Sequence, residues 1–98
     1  MNPDKNHRII PRIDIECPMT YHDVDSPNIR AGTARNVSNN GILFIAREKM
    51  ADGAIKEVHI RPESNDVPSL DAVIQVVRVE DDSIPGQYLI AGVIKAIK

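Results

Sequence analysis

The feature that most constrains this chain is a hydrophobic alternation of period two that returns again and again between turn signals. From Arg12 to Met19 every second residue is apolar: Ile13, Ile15, Cys17 and Met19 fall on one side, and Arg12, Asp14 and Glu16 on the other. Successive side chains of an extended backbone point to opposite faces, so this pattern predicts a strand with one buried face. Residues 20 to 29, with Asp23, Asp25, Ser26, Pro27 and Asn28, carry the turn formers of a hairpin loop. A second strand is predicted from Ile29 to Val37. Ser38-Asn39-Asn40-Gly41 then interrupts with residues that tolerate left-handed backbone, and Asn40-Gly41 is a strong hairpin signal. Ile42 to Ala46 is apolar throughout, as expected of a short strand buried on both faces.

The alternation resumes after the turn at Met50 to Gly53. In Ile55 to Ile60, Val58 and Ile60 stand in one phase, and Glu57, His59 and Arg61 in the other. Pro62 ends that strand, and Glu63 to Ser69 connects it to the next. Leu70 to Glu80 contains Ala72, Val73, Ile74, Val76, Val77 and Val79, too many apolar side chains for one buried face, which predicts a bulge or burial on both sides. A loop at Asp81 to Gly86 leads to a last strand, Tyr88 to Ile97. Gly92 lies in its interior, where a barrel corner or a close backbone contact requires no side chain. The only helix-compatible piece is Arg47 to Met50. Six strands with turn signals between them describe an all-β antiparallel barrel or sandwich. With 98 residues there is room for one domain and one thin core, and closing the sheet would help by removing unpaired edges.

Composition excludes several functions. The chain has 12 basic and 14 acidic residues and a net charge of −2, so no global positive field holds a nucleic-acid backbone. Stacking partners for single-stranded bases are scarce as well, with one Phe, two Tyr and no Trp. No DNA or RNA partner is expected. Nor does any apolar run approach the twenty residues of a membrane span, and no signal-peptide core opens the chain; no membrane insertion and a cytoplasmic location are expected. Cys17, at an apolar position, is expected in the core. The three histidines His7, His22 and His59 are widely separated in sequence, with no second ligand at metal spacing on the same element, so no metal site is expected. Without a nucleophile elbow or a glycine-rich phosphate loop, the chain reads as a non-enzyme without a cofactor.

Two constellations carry chemistry. In Arg8-Ile9-Ile10-Pro11-Arg12, Pro11 pushes Ile10 out of helical backbone, so the two arginines lie on an extended arm entering the first strand. Residues 1 to 11 are expected to be a flexible arm and 12 to 98 the barrel. A guanidinium bonds bidentately to phosphate or to the O6 and N7 of guanine, and its face stacks on a purine. Either arginine alone would be an ordinary solvated charge. The second constellation is Asn36-Val37-Ser38-Asn39-Asn40-Gly41, an amide, a hydroxyl and a glycine that form either a polar concavity or a plain turn.

In sequence order, Arg-x-x-x-Arg before the first strand and Asn-x-Ser-x-x-Gly between the second and third resemble the PilZ domain family. The likeness extends through Gly41-Ile42-Leu43-Phe44, Met50-Ala51-Asp52-Gly53, Val77-Arg78-Val79-Glu80 and Tyr88 to Val93. This resemblance implies a single PilZ-like domain, a six-stranded antiparallel barrel with little or no C-terminal helix, that binds the bacterial second messenger cyclic di-GMP. It assigns Arg8 and Arg12 to guanine and phosphate, and Asn36, Ser38 and Gly41 to the opposite wall. Asn36 stands where the family often has Asp. His7 and Arg35 are candidates for the rim. The implied output is an ordering of the arm, presented to a downstream protein partner. The alternative is a barrel of the same fold that binds proteins and not the nucleotide.

Overall fold

The computed structural model of the chain describes residues 13–38, 40–62 and 69–98. Six strands follow one another: β1 (Ile13–Asp23), β2 (Arg30–Val37), β3 (Gly41–Ala46), β4 (Ile55–Ile60), β5 (Leu70–Asp81) and β6 (Tyr88–Ile97). They form a closed antiparallel barrel in the order β1-β2-β3-β6-β5-β4, with β4 pairing back onto β1. Among the described residues there is no helix, and Arg47 to Met50 bends rather than coils.

Alternation decides what lies inside. Cys17, Met19 and Tyr21 of β1 point inward with Ala34, Phe44, Val58, Ile60, Ala72, Ile74, Val76 and Ile90 from the other strands. The rings of Tyr21 and Phe44 meet at 5.7 Å and a tilt of 47°, a favourable aromatic arrangement. Burial raises the pKa of the Cys17 thiol, in keeping with a core residue rather than a reactive one. The first strand does not stop at Met19. Its inward phase continues through Tyr21, and Met19 to Asp23 pair with Ile60 to Lys56 of β4, so the loop expected over 20–29 is confined to residues 24–29.

Bulges explain the irregular stretches. In β5 the register shifts between Val73 and Ile74 and again between Val76 and Arg78. Ala72, Ile74 and Val76 alternate inward, and at the second shift the extra residue Val77, 50% exposed, and Arg78 both face out while Val79 returns to pack against the core, the bulge that the surplus of apolar residues predicted. Gly92 pairs with Ile42 on one side and Val76 on the other. A Cβ there would come within 2.7 Å of the Ile74 Cδ1, so its missing side chain makes room for the core. Gly53 and Gly86 have φ of 85° and 84°. Each is the third residue of a turn closed by a hydrogen bond, Ala54 N to Ala51 O and Gln87 N to Ile84 O, the type II arrangement that favours glycine at this position.

One expectation fails because barrel closure joins strands that are distant in sequence. His22 and His59 are not apart: the β1–β4 ladder brings their Nε2 atoms to 3.3 Å. His7 lies outside the described residues.

Candidate functional site

The β2–β3 hairpin carries the second constellation. At its start, the register of β2 against β3 slips between Ala34 and Asn36. Ala34 is buried opposite Phe44, whereas Asn36 pairs with Leu43, next in phase to the inward Phe44 and Ile42. Directly paired residues share a face. The extra residue, Arg35, is exposed, so the bulge sets Arg35 and Asn36 side by side on the outer surface of the barrel, where strict alternation would oppose them. Asn36 is half-buried, and the backbone of β1 flanks it through the pairing of Asp14 with Asn36.

The turn itself is held by Ser38. Its Oγ accepts hydrogen bonds from the backbone N–H groups of Asn40 and Gly41, each at 3.2 Å, and the Ser38 N–H donates to the Gly41 carbonyl at 2.9 Å. This is local side-chain capping of a turn. The hydroxyl proton remains available as a donor, because its contact with the Gly41 carbonyl is 3.5 Å, at the outer limit for such a bond. The reason for Gly41 differs from the one expected. Among the described residues only Gly53 and Gly86 have positive φ, so Gly41 is not needed for left-handed backbone. A Cβ at Gly41 would stand 2.8 Å from the carbonyl oxygen of Gly92. The glycine lets the hairpin lie flat against β6, and Asn40 completes the junction by accepting from the Ile94 N–H at 2.8 Å.

On the outer side of β2 and β3, toward the end of the hairpin remote from this turn, lies a groove of about 730 Å³. Arg30, Arg35 and Arg47 line it together with Thr33 and Ile45, and Ile84 and Gln87 of the β5–β6 loop form part of its wall. Carboxylates match the guanidinium groups in number: Glu16, Glu48 and Asp82 also line the groove. Glu48 is already engaged. It accepts from the Tyr21 hydroxyl at 2.9 Å and from the Arg30 Nε at 3.3 Å. Burial first, and the Glu48 bond second, raise the Tyr21 phenol above its ordinary pKa. Arg35 and Arg47, by contrast, form no ion pair with any described residue.

Of the residues expected at the site, Arg35 lines the groove. Asn36, Ser38 and Gly41 lie toward the turn end of the same hairpin and do not line the groove; the Ser38-centred turn joins Ser38 to Gly41, with Asn36 two residues before it on β2. Arg8, Arg12 and His7 lie outside the described residues. Sequence reasoning missed Arg30 and Arg47. Neither sits in a motif, and they converge only because β2 and β3 are neighbours and the β5–β6 loop folds over them.

No curated protein matches the chain. The family model described as the PilZ domain matches residues 5–93. Among solved structures, the fold is similar to that titled as the Bacillus subtilis inhibitor of motility, MotI/DgrA. The TM-score is 0.72, with 17% sequence identity, over 93% of this chain and 44% of that one. The chain thus spans less than half of that neighbour's length.

Proposed function

The chain belongs to the PilZ domain family, and on that premise we propose that it is a cyclic di-GMP receptor whose ligand lies against the outer face of the β2–β3 hairpin. The observation that carries this reading is the bulge in β2. It turns Arg35 and Asn36 to one surface between the arginine-lined groove and the Ser38–Gly41 turn.

The ligand has two phosphates and two guanines. The Asn36 amide both donates and accepts, so it can address a guanine edge that presents both kinds of group. Ser38 offers its remaining O–H proton to a phosphate oxygen while its lone pairs keep the turn in shape. Gly41 adds no side-chain bulk to this wall. The groove by itself has little attraction for a dianion, since its three arginines face three carboxylates. The missing positive charge is what Arg8 and Arg12 supply by motif match, when the arm that precedes β1 closes over the ligand. Two planar cations from one side and a neutral hydrogen-bonding wall from the other then clasp the nucleotide. A partner protein reads the rearranged arm, with no chemistry performed on the ligand.

A second reading has one observation in its favour. With Arg30 tied to Glu48 and the groove balanced in charge, the same surface suits a protein partner without a nucleotide. Calorimetric titration with cyclic di-GMP separates the two. The receptor reading expects a micromolar or tighter isotherm that is weakened both in Arg12→Ala and in Asn36→Ala. An absence of heat at micromolar ligand with the folded protein supports the interaction barrel instead.

A further inference from the structure

The β1–β4 seam shares β1 with the β1–β2 ladder, but its histidine end lies level with Arg30, which pairs with Tyr21, and so at the opposite end of β2 from the Ser38–Gly41 turn. On this seam, Thr20 pairs with His59 and His22 with Glu57, so the two histidines are diagonal neighbours on the outer surface. Their ring planes lie within 14° of parallel and their centroids are 5.4 Å apart, yet the Nε2 atoms are only 3.3 Å apart. The nitrogens therefore face each other edge to edge. Glu57 Oε2 is 3.6 Å from the His59 Nε2, and one ligand atom from each of the three side chains can be chosen so that all lie within 4.8 Å of one another.

The other ring nitrogens fix the protons. His22 Nδ1 meets the Asp23 backbone carbonyl at 2.8 Å, an acceptor only, so Nδ1 carries the hydrogen. His59 Nδ1 meets the Asp71 carboxylate at 2.8 Å and donates likewise. In the neutral rings both Nε2 atoms are then bare lone pairs directed into one gap beside a carboxylate. Two bonds of 2.0–2.1 Å at a tetrahedral angle place their nitrogens about 3.3–3.4 Å apart, the spacing found here. The second shell of such a site is also present. Asp71 holds His59 in a carboxylate–histidine arrangement, and Arg61 bonds the same Asp71 oxygen at 2.7 Å.

We propose that His22, His59 and Glu57 form a binding site for a divalent cation of the zinc class, with a water molecule as the fourth ligand. Two imidazoles and a carboxylate are a borderline-soft donor set that suits zinc better than calcium or magnesium. Lys98 is the competitor: its Nζ lies 3.3 Å from Glu57 Oε2, and the metal displaces it.

The test is titration of the chelator-treated, full-length protein with Zn²⁺ alone at pH 7.5, read by calorimetry and by the imidazole nitrogen shifts of His22 and His59. One equivalent is expected to bind, moving both Nε2 signals. His22→Ala, His59→Ala and Glu57→Gln should each weaken binding at least tenfold. Asp71→Asn should weaken it by about 10–100-fold as an outer-shell change, and Lys98→Ala should tighten it. His7→Ala, a control for the third histidine, should leave the affinity unchanged. Circular dichroism checks that each variant is folded, and Glu57→Gln keeps the shape of the side chain. The proposal is overturned if Zn²⁺ binds no more tightly than 100 µM, if binding survives the two histidine substitutions in folded protein, or if the His7 substitution alone removes it.

Discussion

Adding one methyl group to Gly92 tests the packing logic of the barrel. In Gly92→Ala the new Cβ would stand 2.7 Å from Ile74 Cδ1, 3.3 Å from its Cβ and 3.4 Å from its Cγ1. Ile74 is 0% exposed, so its terminal methyl has no solvent to swing into. Overpacking of this kind costs about 1–3 kcal/mol, and the lower entropy of an unfolded chain with Ala in place of Gly offsets about 0.4–1 kcal/mol of it. A net loss of about 1–2 kcal/mol lowers Tm by roughly 4–16 °C in a domain of this size. Ile74→Val deletes the closest atom. Alone it leaves a small cavity and costs about 0.5–1.5 kcal/mol. Combined with Gly92→Ala it relieves the clash, so the double variant should be more stable than the sum of the single losses by about 0.5–1 kcal/mol. Urea denaturation of the four proteins, with m unchanged between them, measures this coupling. A Gly92→Ala protein as stable as its parent, or strictly additive losses, would refute the claim that Gly92 exists to admit Ile74.

Other expectations follow from single contacts. Tyr21 is 2% exposed and donates to Glu48, so Tyr21→Phe should cost about 1 kcal/mol in chemical denaturation, with the aromatic packing kept. Asp23 and Asp71 have pKa values below the ordinary carboxylate value. The cause for Asp23 is its hydrogen bond with Lys56, and for Asp71 those with His59 and then Arg61. A lowered folded-state pKa adds stability above the unfolded value of about 3.9, which is lost as pH falls through the folded values. Lys56 is buried, at 8% exposed, and bonds Asp23 at 2.7 Å. Lys56→Met should therefore return the Asp23 midpoint toward the ordinary range in a carboxyl-detected NMR titration and leave Asp71 where it was. Arg8→Ala and Arg12→Ala should each weaken cyclic di-GMP by about 1–3 kcal/mol, the loss of one charge-assisted or bidentate contact. Their thermal unfolding should match the parent, and a sharp drop in Tm would make the arm structural instead.

Much of the barrel could be read from local pattern. Period two located β1 and β4, apolar runs and the turn signals between them located the other four strands, and the limits of β4 and β6 agree with those expected from Ile55 to Ile60 and Tyr88 to Ile97. The excess of apolar residues in β5 signalled its bulges, and the glycine within β6 signalled a close contact. These properties belong to one segment or to adjacent ones. What escaped depends on pairings between distant strands. The extension of β1 to Asp23 is stabilised by β4, and the same ladder joins His22 to His59. The need for a glycine at 41 arises on β6, at the Gly92 carbonyl. At the candidate site, Asn36, Ser38 and Gly41 were legible because a motif holds them within six residues. Arg30 and Arg47 were not, since only the packed hairpin makes them neighbours of Arg35.

Where the nucleotide sits decides whether the β2–β3 hairpin is the recognition surface. Backbone amide spectra of the isotopically labelled protein, recorded as cyclic di-GMP is added to saturation, address this directly. Shifts should concentrate at Thr33, Arg35, Asn36, Ser38 and Gly41 and in the segment from His7 to Arg12, while His22, Glu57 and His59 on the β1–β4 seam stay unmoved. Shifts gathered on that seam, or none at all on the β2–β3 hairpin at saturation, would contradict this placement.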